Sequence, residues 1–565
     1  MRLFGGNTRE PRHRSPLAVL AVGGLSLLLQ AREVRAQTGD YYFDGREATI
    51  DGVHNALFTG LATCRGVVSS FLSRIEAFNP AVNAVLSLNP DALARADELD
   101  VALAAGNVTG RLFCVPVLLK DNYDAVGMNT TGGCLALAGN RPTRDAPTVR
   151  AFRDEGAVIL GKVNLHELAL EGISVSSLGG QTINPYDRTR TPGGSSGGTG
   201  AAIAASLAVF GTGTDTVNSL RSPASANSLV SVRPTRGLIS RAGVIPISYT
   251  QDAVGPIART VRDLAVALTV MAGVGFDGDD NATVLAPPEA AGRDYAAGLT
   301  SGSLEGLRFG MLDGFWNHTP SAETTPVSEA MAGMLDFLRG AGVELVNVTD
   351  SIYNATAISA ALDVQTSEYR QELDGYLAGP HLDGSAPASF NELYTSGRFL
   401  VLPSQYGYVN TAFASSTSNA SYAQARLGIQ NLTTALRRTF SDHRLDGLVY
   451  PEQKNLVVKI GSASQSGRNG ILAALTGSPV VTVPAGFSAA TADAPAGVPV
   501  GMEILGLPFT EAALLNAAAH ITLQFPVRRM PPSANTSVEA REYAEVPVIK
   551  PNNSNIPVQY PIGVL

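Results

Sequence analysis

The sequence predicts an α/β fold, and three observations carry that prediction. Short, mostly apolar runs at 111–119, 157–160, 445–451, 475–486 and 497–506 have the length and composition of buried strands. Around them lie stretches with apolar residues at helical spacing, and residues 146–172 read in order as helix, stop at Gly156, strand and helix, the alternation of an α/β protein. Composition agrees: 45% hydrophobic residues, 58 glycines and only 16% charged residues suit a large packed enzyme core rather than a disordered or fibrous chain. By length alone, 565 residues permit several average domains or one large α/β unit.

The chain opens on a targeting pattern. Arg2, Arg9, Arg12 and Arg14 form a basic region, an apolar run follows over 17–29, and Val34-Arg35-Ala36 places small residues before a cleavage point at Gln37. Residues 1–36 therefore read as a signal peptide, the run being short for a membrane span, and no stable membrane insertion is expected. Thr63 then caps a helix whose Val67, Val68, Phe71, Leu72, Ile75 and Phe78 share one face and which Asn79-Pro80 stops; a second helix follows over 91–105. The run 111–119 delivers Lys120 at the end of a buried strand, where loss of water disfavours the ammonium and can leave a neutral base. His166-Glu167 lacks the second histidine of a zinc-protease motif, because position 170 is Leu.

The chemistry concentrates in residues 191–223. Gly193, Gly194, Gly197 and Gly198 surround Ser195 and Ser196, a small-residue helix follows over 201–205, a strand-like segment lies at 207–210, and a second serine, Ser219, closes the stretch. So many glycines mark a backbone that must turn sharply or approach something closely. Gly193 to Gly197 also satisfies the G-x-S-x-G nucleophile elbow, but the elbow needs a strand immediately before it, and the preceding 184–192 carries two prolines and no apolar alternation.

Gly-Gly-Ser-Ser-Gly-Gly, followed by Gly-Thr-Asp-Thr and a serine before Leu-Arg, resembles the amidase signature family of serine hydrolases. The resemblance extends to Thr130–Gly133, to 232–263 and to the strands at 445–451, 475–486 and 497–506, and it fades over roughly 285–440. It implies a single large domain over 37–530 with a central mixed β-sheet covered by helices on both faces, then an extended tail over 531–565. It also implies a triad: Ser219 as nucleophile, Ser195 after a cis peptide bond as relay, and Lys120 as base. The oxyanion hole falls to the backbone N–H groups of Thr216, Val217, Asn218 and Ser219, with Asp215 and Arg221 ordering the loop. Most members carry Gly-Gly where this chain has Val217-Asn218, and since a β-branched Val resists positive φ, the local loop must differ or keep negative φ at 217. In the fading region Trp316, Tyr369, Tyr376, Tyr394, Tyr406 and Tyr408 are candidates for the acyl pocket or for aromatic packing. The resemblance leaves two alternatives to an amide hydrolase: a catalytically impaired member that only binds ligand, and an A-type component of an amidotransferase, whose intracellular setting the leader opposes.

Ten sequons, at Asn107, Asn129, Asn281, Asn317, Asn347, Asn354, Asn419, Asn431, Asn535 and Asn552, stand beside the leader and argue for a secreted or secretory-pathway glycoprotein, a fungal-type member of the family. Asn317, with Pro320 behind it, and Asn129, close to Lys120, are expected to stay bare. The three cysteines Cys64, Cys114 and Cys134 allow one intrachain disulfide, whose pairing, Cys114 with Cys134 included, the sequence leaves open. Their spacing matches no zinc pattern, and neither metal nor cofactor is expected. A net charge of −8 without a basic patch argues against nucleic acid. The expected partner is a small-molecule amide; the oligomeric state, a homodimer included, is open.

Overall fold

A computed structural model describes residues 43–565, so the proposed leader at 1–36 lies outside the described residues. Its strands are β1 (Val85–Leu88), β2 (Pro116–Lys120), β3 (Val158–Val163), β4 (Val175–Ser176), β5 (Gly180–Gln181), β6 (Phe210–Asp215) and β7 (Val230–Arg233). They continue with β8 (Ala253–Ala258), β9 (Arg308–Leu312), β10 (Glu344–Val348), β11 (Gly447–Pro451), β12 (Val480–Phe487) and β13 (Pro499–Leu505). Eleven form one sheet in the order β1-β3-β2-β6-β8-β7-β12-β13-β11-β9-β10, and β4 pairs with β5 apart from it. The sheet is mixed: β2 runs parallel to β3 and β6, and β9 parallel to β10 and β11, while the joins through β8, β7, β12 and β13 are antiparallel. Helices Gly197–Ala204, Arg221–Ala226, Val261–Ala272 and Glu511–Gln524 are among those that flank it. The described residues form one large α/β domain.

The central strands are buried along their whole length, so their sequences need no polar alternation. Strand β6 shows how composition serves position. A Cβ on Gly213 would meet Leu220 Cδ2 at 2.7 Å and Ser196 Oγ at 2.9 Å, so glycine lets both serine-bearing loops rest on one strand.

Several boundaries differ from the sequence expectation. The first strand of the site spans Pro116–Lys120 rather than 111–119, because the chain turns through Cys114, whose φ is 60°. Residues 205–206 form a turn and 207–209 a bend, and the strand begins at Phe210. Thr63 does cap a helix, its hydroxyl accepting from the Gly66 N–H, but the helix runs through Pro80 to Val82 and ends on left-handed Asn83. The helix expected after β3 is a single 3-10 turn, Glu167–Ala169. Leu168 and Ala169 take φ of 51° and 62°, which breaks the helical ladder.

Cys64 bonds to Cys114, closing a span of 50 residues, and Cys134 is the free, buried thiol, so the pairing is not Cys114 with Cys134. Tyr369, Tyr376 and Tyr394 pack in a core cluster with Cys134, Leu165 and Leu168, and Tyr406 and Tyr408 lie against it. Residues 531–565 are irregular, with 3-10 turns at Pro532–Ala534 and Asn553–Asn555, and they are tied down by the Asn552 N–H on Asn83 Oδ1 and by buried Tyr560. Nine sequon asparagines are exposed; Asn129 is half-buried.

Candidate active site

Three parts of the chain converge beside β2 and β6. Lys120 ends β2 fully buried, its Nζ 2.7 Å from Ser195 Oγ and 2.7 Å from Thr214 Oγ1. Among the described residues no carboxylate ion-pairs with it. Burial brings the Lys120 pKa down to about 7, against the weaker opposing pull of Asp215 and Asp252. At neutral pH the amine is therefore available as a base.

Ser195 follows a cis peptide bond from Gly194 and is itself fully buried. Gly193 just upstream has φ of 70°, a turn that side chains resist. The loop wraps around Ser174, whose hydroxyl donates to Gly193 O at 2.7 Å and accepts from the Gly197 N–H at 3.0 Å. The Ser195 carbonyl accepts from the His166 N–H at 3.0 Å. The His166 ring stays neutral, because burial, Lys120 and Arg468 push its pKa down to about 3.

Ser219 sits in the turn that leads into helix Arg221–Ala226 and keeps 8% of its surface exposed. The Ser196 N–H donates to Ser219 O at 3.3 Å, which holds the two serine loops side by side. Among the described residues the backbone N–H groups of 216–219 donate to no protein acceptor. Val217 and Asn218 both keep negative φ, the conformation that a β-branched Val requires.

A buried ionic cluster fixes this loop. The Asp215 carboxylate accepts from Arg221 Nε at 3.0 Å, from Arg233 Nη1 at 2.6 Å and from the Leu220 N–H at 3.1 Å. Arg221 Nη1 also reaches both oxygens of Glu503, at 3.1 and 2.8 Å, and its Nη2 donates to Val217 O and Gly470 O. Burial alone would raise the Asp215 pKa; the guanidiniums of Arg221 and Arg233 bring it down to about 2. Thr216 Oγ1 donates to Asp252 at 2.6 Å, Gln251 Nε2 to Thr216 O at 3.3 Å, and Asn218 Nδ2 to Glu452 Oε1 at 2.9 Å.

The structure thus brings Lys120 onto Ser195 and sets the Ser219 loop against the Ser195 loop, with Asp215 and Arg221 paired beneath. Sequence reasoning missed Thr214, Ser174, Arg233, Glu452 and Glu503. Thr214 was readable, since two-residue alternation places it on one face of β6 with Thr212, whose Oγ1 accepts the Lys120 N–H at 3.0 Å. Glu503 was readable too, as a charge inside an apolar strand that demands a buried cation. Lys120 and Ser195 are thus in direct contact, whereas Ser219 meets the Ser195 loop through its backbone carbonyl and its hydroxyl makes no hydrogen bond to Ser195 Oγ.

A protein-family model described as Amidase matches residues 66–515. A probable amidase of Arabidopsis thaliana is 32% identical over 506 residues, 86% of this chain and 92% of the relative. The A-type component of the glutamyl-tRNA(Gln) amidotransferase of Staphylococcus saprophyticus is 30% identical over 494 residues, 85% of this chain and 98% of the relative. Among solved structures, the native peptide amidase of Stenotrophomonas maltophilia superposes with a TM-score of 0.75 at 33% identity, covering 86% of this chain and 98% of its own.

Proposed function

The chain belongs to the amidase signature family and is an amidase, and from that premise we propose that it hydrolyses a carboxamide or N-acyl amine through an acyl-enzyme on Ser219. Neutral Lys120 takes the proton of Ser195 Oγ, which takes that of Ser219 Oγ as this oxygen attacks the amide carbonyl. The N–H groups of Thr216, Val217, Asn218 and Ser219 receive the oxyanion. The same path reversed protonates the leaving nitrogen, ammonia or an amine departs, and water releases the acid. The observation that carries this reading is the buried Lys120 amine 2.7 Å from Ser195 Oγ, with no carboxylate among the described residues paired to it.

The likeness to a peptide amidase favours amidated peptides within the substrate panel. The amidotransferase components among the relatives support a second reading, an A-type component of such an amidotransferase. The leader pattern, the sequons and the acidic charge favour the first reading and a secretory-pathway glycoprotein. No helix among the described residues is long and apolar enough to cross a membrane. The test is covalent labelling by a fluorophosphonate, lost in Ser219→Ala, together with hydrolysis of primary amides, anilides, fatty amides and amidated peptides. A folded wild type that takes no label and cleaves none of the panel overturns the proposal.

A further inference from the structure

Glu452 directly follows β11 and is 1% exposed, with its Oε1 accepting from Asn218 Nδ2 at 2.9 Å. Among the described residues no lysine, arginine or histidine ion-pairs with it. The nearby cations are already committed, Arg221 to Asp215 and Glu503 and Arg233 to Asp215. Burial raises the pKa of Glu503 too, but Arg221 Nη1 reaches both of its oxygens, so Glu503 is the better stabilised anion of the two acids and with Asp215 balances Arg221 and Arg233. A third carboxylate there would leave a net negative charge in a buried cluster, an arrangement that keeps the acid protonated. The glycine that most family members carry at 218 has no side chain with which to reach such a group.

We propose that Glu452 is a positioning residue for the reaction: as a neutral acid it anchors the Asn218 side chain and so sets the N–H groups of the oxyanion hole, and its ionisation shuts the site down. This rests on the amidase reading above. The groups facing Glu452 are Glu503 on β13, Arg221 on its helix and Asp215 on β6, with Arg233 behind Asp215 and Tyr450 on its own strand. Burial first, then Glu503, push the Glu452 acid up to about 8, partly offset by the Asn218 hydrogen bond and Arg221. Proton loss would put an anion one side chain away from the place where the reaction itself generates negative charge, and the two would oppose each other.

Fluorophosphonate labelling of the full chain tests this without a known substrate, because the phosphonyl oxygen of the probe occupies the oxyanion position. The wild-type rate constant should rise with pH as Lys120 becomes neutral, then fall by about tenfold per pH unit once Glu452 ionises. Glu452→Gln should keep the rise and lose the fall. Asn218→Ala and Glu452→Ala should each slow labelling by about tenfold, and the double variant by about the same tenfold rather than a hundredfold, since both remove one contact. Near-UV circular dichroism establishes that each variant is folded, and if Glu452→Ala is not, the Glu452→Gln profile decides. An alkaline fall that persists in Glu452→Gln while the wild type labels overturns this inference alone; a folded wild type that takes no label overturns the amidase mechanism with it.

Discussion

The pH dependence of Lys120 is the sharpest consequence of the geometry. The amine is fully buried, hydrogen-bonded to two hydroxyls, and its pKa is brought down from 10.5 to about 7 by burial. Only the neutral form can accept the Ser195 proton, so about half of the molecules are competent at pH 7 and roughly 1% two pH units lower. Labelling by a fluorophosphonate, followed from pH 5 to 7.5, should therefore rise about tenfold per unit and then level near 7. Lys120→Met should lower the rate by about 10²- to 10⁴-fold and abolish this limb. Stability gives an independent readout. Between pH 7 and 10.5 the unfolded chain binds a proton that the folded chain does not, so the folded state gains stability as pH rises through that window and carries the full burden below it. That burden is on the order of 4 to 5 kcal/mol, and Lys120→Met removes it. The variant should accordingly unfold at higher temperature than wild type at pH 7, with the gap closing toward pH 10.5. A labelling rate flat from about pH 5 to 7, or a limb near the ordinary lysine value, refutes the reasoning.

Other outcomes follow from the same structure. Arg221→Met strips Asp215 and Glu503 of their shared cation and should cost about 3–5 kcal/mol in denaturant unfolding; a loss below about 1 kcal/mol contradicts the role given to the cluster. Arg221→Lys should restore only part, since a point charge cannot bridge both carboxylates and two carbonyls. Replacing Cys64 and Cys114 by serine opens a link spanning 50 residues and should cost about 4 kcal/mol. Unfolding without reductant should expose one alkylatable thiol, Cys134; three would contradict the pairing. In material secreted by a eukaryotic host, site mapping should find glycan at exposed sequons such as Asn107 and Asn419. Asn129 should be bare, its Nδ2 already donating to Ala138 O at 2.8 Å.

What the sequence disclosed and what it hid divide along a physical line. Ser195 stood out because the glycines around it announce a backbone under geometric demand, and Lys120 because a charge ends a buried apolar run, whereas Ser219 was indicated by the family resemblance. The strands were legible because burial on both faces erases polar alternation. Their ends were not: nothing local indicates that Cys114, Leu168 and Ala169 take positive φ, and the backbone partners of two of them, Gly156 for Cys114 and Gly132 for Leu168, come from elsewhere in the chain. The cysteine pairing was hidden for the same reason. Glu452 was the hardest case, since its hydrogen-bond partner Asn218 lies 234 residues away and gives no signal in either segment alone.

The order of strands in the sheet separates two jobs. The proposed relay and its ionic footing draw on β2, β6, β7 and β13, whereas β9 and β10 close the far border as the two strands of the divergent stretch between roughly 285 and 440, whose other elements are helices. That stretch is nonetheless tied to the loop after β6: the Val364 N–H donates to Gln251 Oε1, and Gln251 Nε2 donates to Thr216 O. A homologue's 285–440 segment transplanted here must therefore preserve the contact at 364, and fluorophosphonate labelling of the chimera reads whether it has.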